Sequence, residues 1–148
     1  MYAQAFGPFI GNDTLSEYIS RYRRADLPPV AIGDPLDLYP DRPAPNGFDR
    51  KLTWASPWPF ADHPGVYLLY SEGFEILYIG KASMSRNLGK RLWERFGAGK
   101  TCRPKEEWLK PIRFVINIAV PKELAFEAPA IEEFLILKLR PKFNGTGK

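Results

Sequence analysis

The sequence predicts an α+β fold, in which a small antiparallel sheet is flanked by helices. After Pro64, segments rich in β-branched and aromatic residues alternate with segments whose apolar residues recur at helical spacing. The order of these segments is strand, strand, helix, strand, helix. That β-β-α-β-α order is typical of an α+β domain with a small, mostly antiparallel sheet.

Each predicted element rests on its own pattern. β-branched, aromatic and alternating side chains predict three strands, at 65–70, 75–79 and 111–120. A four-residue turn that contains glycine, at 71–74, joins the first two strands. Apolar residues at helical spacing predict helices at 87–96 and 127–139.

The N-terminal part of the chain has a different composition. The first 64 residues hold ten of the fifteen prolines. Thr14 and Glu17 match a capping box, and apolar residues follow at helical spacing, so a helix is predicted at 14–25. Most of the segment that follows is irregular and proline-rich. We therefore predict an N-terminal helix and proline-rich extension at 1–60, packed on a domain at 61–148.

Length and cysteine content exclude several classes of protein. A chain of 148 residues buries enough surface to fold as one domain without disulfides. A single cysteine, Cys102, cannot form an internal disulfide and fits a reducing compartment. No run approaches the ~18 apolar residues of a membrane span, and the N-terminus has no signal-peptide pattern. We expect a cytoplasmic protein without membrane contact, and the sequence leaves its oligomeric state open.

Basic residues cluster in one stretch of the chain. The formal net charge is +4, but residues 81–105 contain eight basic residues against one acidic residue, Glu94. Such a stretch suits phosphate binding, although a solvated helix face followed by a loop would look the same. The residues predicted to contact nucleic acid are Lys81, Arg86, Lys90, Arg95 and Lys100.

Two tyrosines are predicted to lie side by side on the first hairpin. With a turn at 71–74, Tyr70 lies opposite Glu75 and Tyr67 lies opposite Tyr78. Directly opposed residues point to the same face of a sheet, so the two phenols would be neighbours. An aromatic pair that only packs is the alternative interpretation.

Four further residues have a structural interpretation beside a functional one. Gly80 either ends its strand or permits a close approach. Arg91 borders the apolar face of its helix, where it extends to solvent or binds an anion. Glu132 borders the apolar face of the last helix, where it forms a salt bridge or binds a cation. Asn144 precedes a glycine, as turn residues often do.

In this order, these residues resemble the motifs of the GIY-YIG nuclease superfamily. The resemblance covers residues 64–145 and rests on five separated motifs. They are Gly65-Val66-Tyr67, Tyr78-Ile79-Gly80 with Lys81, Asn87-Leu88, Arg91-Leu92, and Glu132 followed by Leu135-Ile136, Pro141, Phe143 and Asn144.

The resemblance implies a central three-stranded antiparallel sheet and metal-dependent cleavage of DNA. It makes Tyr67 the candidate general base, or the residue that orients the attacking water, and makes Tyr78 its support at the scissile phosphate. Arg91 would bind that phosphate. Glu132 would hold a single divalent ion, Mg²⁺ or Mn²⁺, and Asn144 would orient the site.

Two features depart from the family pattern. Residues 82–86 contain an insertion of about three residues before Asn87. Arg95 stands where many members carry histidine or tyrosine, and a guanidinium cannot shuttle protons at neutral pH. We predict that Arg95 binds a neighbouring phosphate instead.

Because of Arg95, a catalytically idle nucleic-acid-binding module of the same fold is the alternative to an active endonuclease. A protein-interaction domain that uses the N-terminal segment is a third interpretation.

Overall fold

Among the residues that the structure describes, the chain forms five strands and three helices. A computed structural model describes residues 7–45, 48, 52, 54 and 58–146. The helices are α1 (Asn12–Tyr22), α2 (Leu88–Phe96) and α3 (Glu127–Leu139). The strands are β1 (Ala31–Ile32), β2 (Leu36–Asp37), β3 (Gly65–Ser71), β4 (Ile76–Ala82) and β5 (Ile112–Ala119). The α+β class and the antiparallel sheet predicted from the sequence are confirmed.

All strand pairs of the sheet are antiparallel. Strand β3 lies between β5 and the edge strand β4. On its other side, β5 pairs with the short strands β1 and β2. These two strands lie in the proline-rich segment that the sequence predicted to be irregular, so the sheet has five strands rather than three. A two-residue strand is too short to show a period-two pattern, which is why the sequence did not reveal it.

Helix α1 begins earlier than predicted and has a different N-cap. Its N-cap is Gly11, at φ 135°, and no side chain caps the helix, so the predicted capping box of Thr14 and Glu17 is wrong. Glu17 instead accepts a hydrogen bond from Arg21, one turn later, at 3.3 Å. This contact lies on the exposed side of the helix. The carbonyl of Gly11 accepts the first backbone hydrogen bond of the helix.

A buried ion pair attaches the end of α1 to α3. Arg23 follows the helix with extended backbone, and its Nε donates to Glu127 Oε2 at 2.7 Å. The Tyr18 hydroxyl donates to the same oxygen at 3.0 Å. Because removing one partner of a buried pair is costly, this contact holds the chain away from further helical turns. Helix α1 therefore ends three residues before the predicted boundary.

The β3–β4 hairpin contains two irregularities that the sequence did not predict. Ser71 donates its backbone N–H to the carbonyl of Glu75 at 2.8 Å, so the turn has three residues instead of four. Its last residue, Phe74, has φ 67°, as the third position of such a turn requires. The register then shifts again at a bulge between Leu69 and Tyr70. Together these features displace the pairing by two residues.

The displacement changes the partners of the two tyrosines but not their face. Tyr67 lies opposite Gly80, and Tyr78 lies opposite Leu69, so the predicted direct pairing of Tyr67 with Tyr78 is wrong. A shift of two residues keeps side chains on the same side of a sheet, since the period of a strand is two. The two phenols are therefore diagonal neighbours on one face.

The sheet separates two hydrophobic cores. Helices α1 and α3 pack on one face, where Val66, Leu68 and Ile116 are buried. Helix α2 packs on the other face, which carries both Tyr67 and Tyr78. The two cores follow from the alternation of side chains along β3 and β5. The candidate site therefore lies on the α2 side of the sheet, beside the edge strand β4.

A buried charge pair attaches the N-terminal segment to the sheet. Arg113 on β5 is 2% exposed and donates from Nε and Nη2 to the two carboxylate oxygens of Asp37 on β2, each at 3.1 Å. Its Nη1 donates to Glu72 in the hairpin turn at 2.6 Å. The segment thus shares the sheet with the rest of the chain, and a domain boundary at residue 60 stays a prediction.

Candidate active site

Tyr67 and Tyr78 lie side by side on the α2 face. Their ring centroids are 6.2 Å apart, Tyr67 has no exposed surface, and Tyr78 is 5% exposed. Gly80 makes room for Tyr67, because a Cβ at this position would lie 2.3 Å from both Cζ and Oη of that tyrosine. The glycine is thus needed for the close approach of the phenol across β4, which agrees with the second interpretation of Gly80.

Arg95 lies inside this site rather than on the surface. It is 9% exposed, and its Nε donates to Tyr67 Oη at 3.4 Å. Its guanidinium carbon is 5.6 Å from the ring centroid of Tyr78 and 5.0 Å from that of Trp108. Its Nη1 is 3.7 Å from Oε1 of Glu106. Two aromatic faces, a phenol oxygen and a carboxylate thus stabilise a cation that burial removes from water.

Glu132 approaches the site from α3. Its side chain is 20% exposed, and its Oε1 is 3.7 Å from Nζ of Lys81 on β4. Burial raises the pKa of the Glu132 carboxyl, and the charges of Lys81 and Arg91 offset this rise only in part. Because the ion pair with Lys81 is longer than a hydrogen bond, the carboxylate oxygens remain suited to a hard cation.

Several charged groups of the site affect the pKa of Tyr78. Burial and the neighbouring Tyr67 raise the pKa of Tyr78, Glu132 raises it further, and Arg95 and Arg91 partly lower it. The net direction is upward, so the phenol is neutral at neutral pH and is able to donate a hydrogen bond. Arg91 and Glu132 lie on different helices, yet both influence this phenol. The edge of the sheet at β4 is therefore where the groups from α2 and α3 come together.

Arg91 is only weakly paired. Its side chain is 31% exposed, and its Nη1 is 3.8 Å from Oε1 of Glu94, one turn further along α2. The same oxygen receives a shorter contact, 2.7 Å, from Arg86. The guanidinium of Arg91 is therefore able to bind an anion at the site without giving up a strong contact.

Asn144 fixes the backbone of β4. Its Oδ1 accepts from the N–H of Ile79 and its Nδ2 donates to the carbonyl of Ile79, both at 2.9 Å. These backbone groups point outward from an edge strand, and within the described part of the chain no further strand pairs with them. The amide thus holds the residue between Tyr78 and Gly80, and its contact with the site runs through the main chain of Ile79.

The other residues predicted to contact nucleic acid are on the surface. Lys81, Lys90 and Lys100 are exposed, and Lys81 pairs with the site residue Glu132. Arg86, half-exposed, is paired with Glu94. The structure therefore brings Lys81 and Arg95 to the tyrosine site and places the remaining three outside it.

Two residues of the site, Glu106 and Trp108, had no signal in the sequence. Trp108 Nε1 donates to Glu106 Oε2 at 2.9 Å, and its ring centroid is 4.9 Å from that of Tyr78. Both lie in the turn before β5, where neither helical nor strand periodicity marks a face. Their contribution becomes visible only once the fold brings this turn against Arg95.

The residues present fit a divalent ion that takes few ligands from protein side chains. In the described ranges, no group of three or more His, Cys, Asp or Glu side chains could hold a metal ion. Mg²⁺ commonly keeps several waters and binds one or two carboxylates together with substrate phosphates, so the single carboxylate of Glu132 is compatible with it.

None of the helices in the described part of the chain is long and apolar enough to cross a membrane.

Comparison with known proteins gives relatives of one kind. The UvrABC system protein C of Flavobacterium psychrophilum is 36% identical over 83 residues, which are 56% of this chain and 13% of the relative. Its counterparts from Protochlamydia amoebophila and Alkalilimnicola ehrlichii are 36% identical over 90 residues and 35% identical over 100 residues. These matches cover 60% and 68% of this chain, and 14% of each relative. The chain thus corresponds to a small part of these proteins.

A family model matches the part of the chain that carries the site. Residues 63–145 match the UvrC-like GIY-YIG domain. The matched range is more than half of the chain and extends from the strand of Tyr67 to Asn144. The chain therefore belongs to the UvrC-like GIY-YIG domain family, which confirms the GIY-YIG superfamily that the sequence motifs predicted.

Proposed function

We propose that the chain is an endonuclease that hydrolyses phosphodiester bonds of DNA with a single divalent ion. The convergence of two phenols, two guanidinium groups and one carboxylate at the β4 edge carries this proposal. Phosphoryl-transfer sites work mainly by positioning and by stabilising charge, which such a group of side chains can do. Membership of a nuclease family supports the reaction class, and the relatives' name, UvrABC system protein C, is compatible with a DNA substrate.

The two tyrosines have different roles in the proposed reaction. Tyr67 accepts the proton of the attacking water as a phenolate, or orients that water, and Arg95 stabilises negative charge on the Tyr67 oxygen to which it donates. Tyr78, whose raised pKa keeps it protonated, donates to a non-bridging phosphate oxygen. The water oxygen forms a new bond to phosphorus, and the bond from phosphorus to the leaving oxygen breaks.

Arg91 stabilises the charge that grows on the phosphate. A guanidinium binds two phosphate oxygens at once in a planar fork, which lysine cannot do. The weak pairing of Arg91 with Glu94 supports this role. Asn144 keeps Tyr78 in place through the backbone of Ile79 and does not touch the substrate.

Glu132 holds the ion. Nucleases of this family generally use divalent metal ions, and we propose Mg²⁺ or Mn²⁺ here. When bound, such an ion acts as a Lewis acid that stabilises the charge on the leaving oxygen. Because burial raises the pKa of Glu132, this carboxyl loses its proton at a higher pH than an ordinary glutamate does, and ion binding improves as the pH rises through that range.

A catalytically idle nucleic-acid-binding module is the second candidate function. One observation favours it: Tyr67 has no exposed surface, so a substrate reaches its hydroxyl only after the side chains around it have moved. This candidate predicts DNA binding that weakens steeply with salt, because neutralised phosphates release counterions, but no cleavage.

A plasmid-nicking assay with Mg²⁺ separates the two candidates. We expect the wild type to nick supercoiled DNA, and Glu132→Gln to lose about 100-fold or more in rate, as expected when a preorganised charge contact is removed. Glu133→Gln is the matched control, since it makes the same change at the next residue, which is exposed. Equal rates for both variants would remove Glu132 from the mechanism. Salt-dependent binding without any nicking would favour the idle module.

A further inference from the structure

Glu106 lies between two donors of the site. The guanidinium of Arg95 points Nη1 at Oε1 of this carboxylate, 3.7 Å away, and Trp108 donates from Nε1 to Oε2 at 2.9 Å. One donor thus serves each oxygen of a single anionic group. Arg95 and Trp108 are in turn in contact with Tyr78, on which the proposed reaction depends.

The three partners differ in how firmly they are held. Arg95 is 9% exposed and is anchored at Tyr67 through Nε, and Trp108 packs against the ring of Tyr78. Glu106, in contrast, has a side chain that is 57% exposed. Its contact with Arg95 is longer than a hydrogen bond. The donors therefore form the fixed part of the cluster, and the exposed carboxylate is the part that can turn away, giving up one hydrogen bond from Trp108.

We propose that Arg95 and Trp108 form a phosphate subsite next to the tyrosine pair, and that the Glu106 carboxylate occupies this subsite in the absence of DNA. A phosphodiester presents two non-bridging oxygens that share one negative charge, as a carboxylate does, so it can accept from the same two donors. The subsite binds a phosphate of the DNA backbone, and Glu106 turns to solvent. This inference rests on the proposed DNA substrate and gives Arg95 a defined role in place of the family's histidine or tyrosine.

The proposed subsite predicts how DNA affinity changes when the acidic side chain of Glu106 is neutralised. Neutralising Glu106 removes a competitor of the phosphate, so DNA binds more tightly. The Arg95–Glu106 pair is long, 3.7 Å, and its carboxylate is exposed, so we take the upper value for an exposed pair, about 1 kcal/mol, which corresponds to about a fivefold change in Kd. A purely structural contact between Glu106 and Trp108 would have no such effect on DNA affinity.

The experiment measures the Kd of a fluorescently labelled DNA duplex by anisotropy, in EDTA so that no cleavage occurs. We expect Glu106→Gln to bind about fivefold more tightly than the wild type. Glu107→Gln is the matched control, because its side chain is 86% exposed and pairs with Lys110 instead. It changes the net charge equally and should shift Kd less than about twofold. Equal shifts for both variants would show a general charge effect and overturn the proposal.

Two further variants connect the effect to the donors. In an Arg95→Gln background, Glu106→Gln should no longer tighten binding, and a gain that persists would contradict the subsite. If Arg95→Gln does not fold, Trp108→Phe tests the second donor, since it keeps an aromatic ring and removes the indole N–H. We expect it to weaken DNA binding severalfold, and unchanged affinity would count against the proposal. Because these are binding measurements, they remain decisive for the subsite even if the nicking assay shows no nuclease activity.

Discussion

Replacing Gly80 by alanine tests whether the Tyr67 phenol lies where the structure places it. The added Cβ would be 2.3 Å from Cζ and Oη of Tyr67 and 2.7 Å from Cε2. Carbon atoms in contact are normally about 3.5 Å apart, so the ring must move by about 1.2 Å. The clash is with a buried, rigid ring rather than with a flexible end of a chain. Overpacking of this kind costs about 1–3 kcal/mol of stability.

The displacement should affect activity more than stability. Misplacing a reacting group by about 1 Å can cost about 100-fold in rate. We therefore expect Gly80→Ala to unfold at a lower urea concentration than the wild type and to nick plasmid DNA about 100-fold more slowly. Gly99→Ala is the control, because no heavy atom lies within 4 Å of a Cβ at that position. If Gly80→Ala matches Gly99→Ala in both measurements, the phenol does not lie over Gly80.

Three further predictions concern polar groups that are buried or partly buried. Asp37→Ala leaves the Arg113 guanidinium without its main partner and should lower the free energy of unfolding by about 3 kcal/mol in urea titrations; a loss below about 1 kcal/mol would contradict a buried pair. Asn144→Ala removes two hydrogen bonds to Ile79, so the nicking rate should fall while the Kd for DNA stays near that of the wild type, and a loss of affinity alone would contradict a positioning role. Burial raises the pKa of Glu132, so wild-type stability decreases as the pH rises above the ordinary pKa of 4.5. Glu132→Gln should therefore have a higher Tm than the wild type at pH 7 and an equal Tm at pH 4. Equal Tm values at both pH values would argue against a buried carboxylate.

The elements with long, regular patterns could be predicted from the sequence. The last helix has the predicted bounds, Glu127–Leu139, because its apolar residues recur over more than three turns. Strand β5 and helix α2 agree to within one residue at each end. In contrast, the hairpin register depends on a three-residue turn and a bulge, and neither leaves a periodic trace in the sequence. The sequence nevertheless predicted the correct face for the two tyrosines, because two displacements of one residue each add up to the two-residue period of a strand.

The candidate site could be predicted only in part, for a physical reason. Strand spacing predicts that Tyr67 and Tyr78 share a face, and the resemblance to the GIY-YIG superfamily, carried by motifs on regular elements, adds Arg91 and Glu132 to the same site. The burial of Arg95 follows from contacts with residues outside α2, and helical spacing alone gives such an arginine no preference between snorkelling and burial. The predicted grip of Arg95 on a phosphate stays a prediction, now as part of an interior subsite rather than of the surface.

The most direct measurement for the whole account is the nicking rate of Tyr67→Phe. This variant keeps the ring over Gly80 and removes only the hydroxyl, so it separates chemistry from packing. We expect supercoiled DNA to stay intact while the Kd for DNA remains close to that of the wild type. A Tyr67→Phe protein that nicks DNA at the wild-type rate in Mg²⁺ would contradict this expectation.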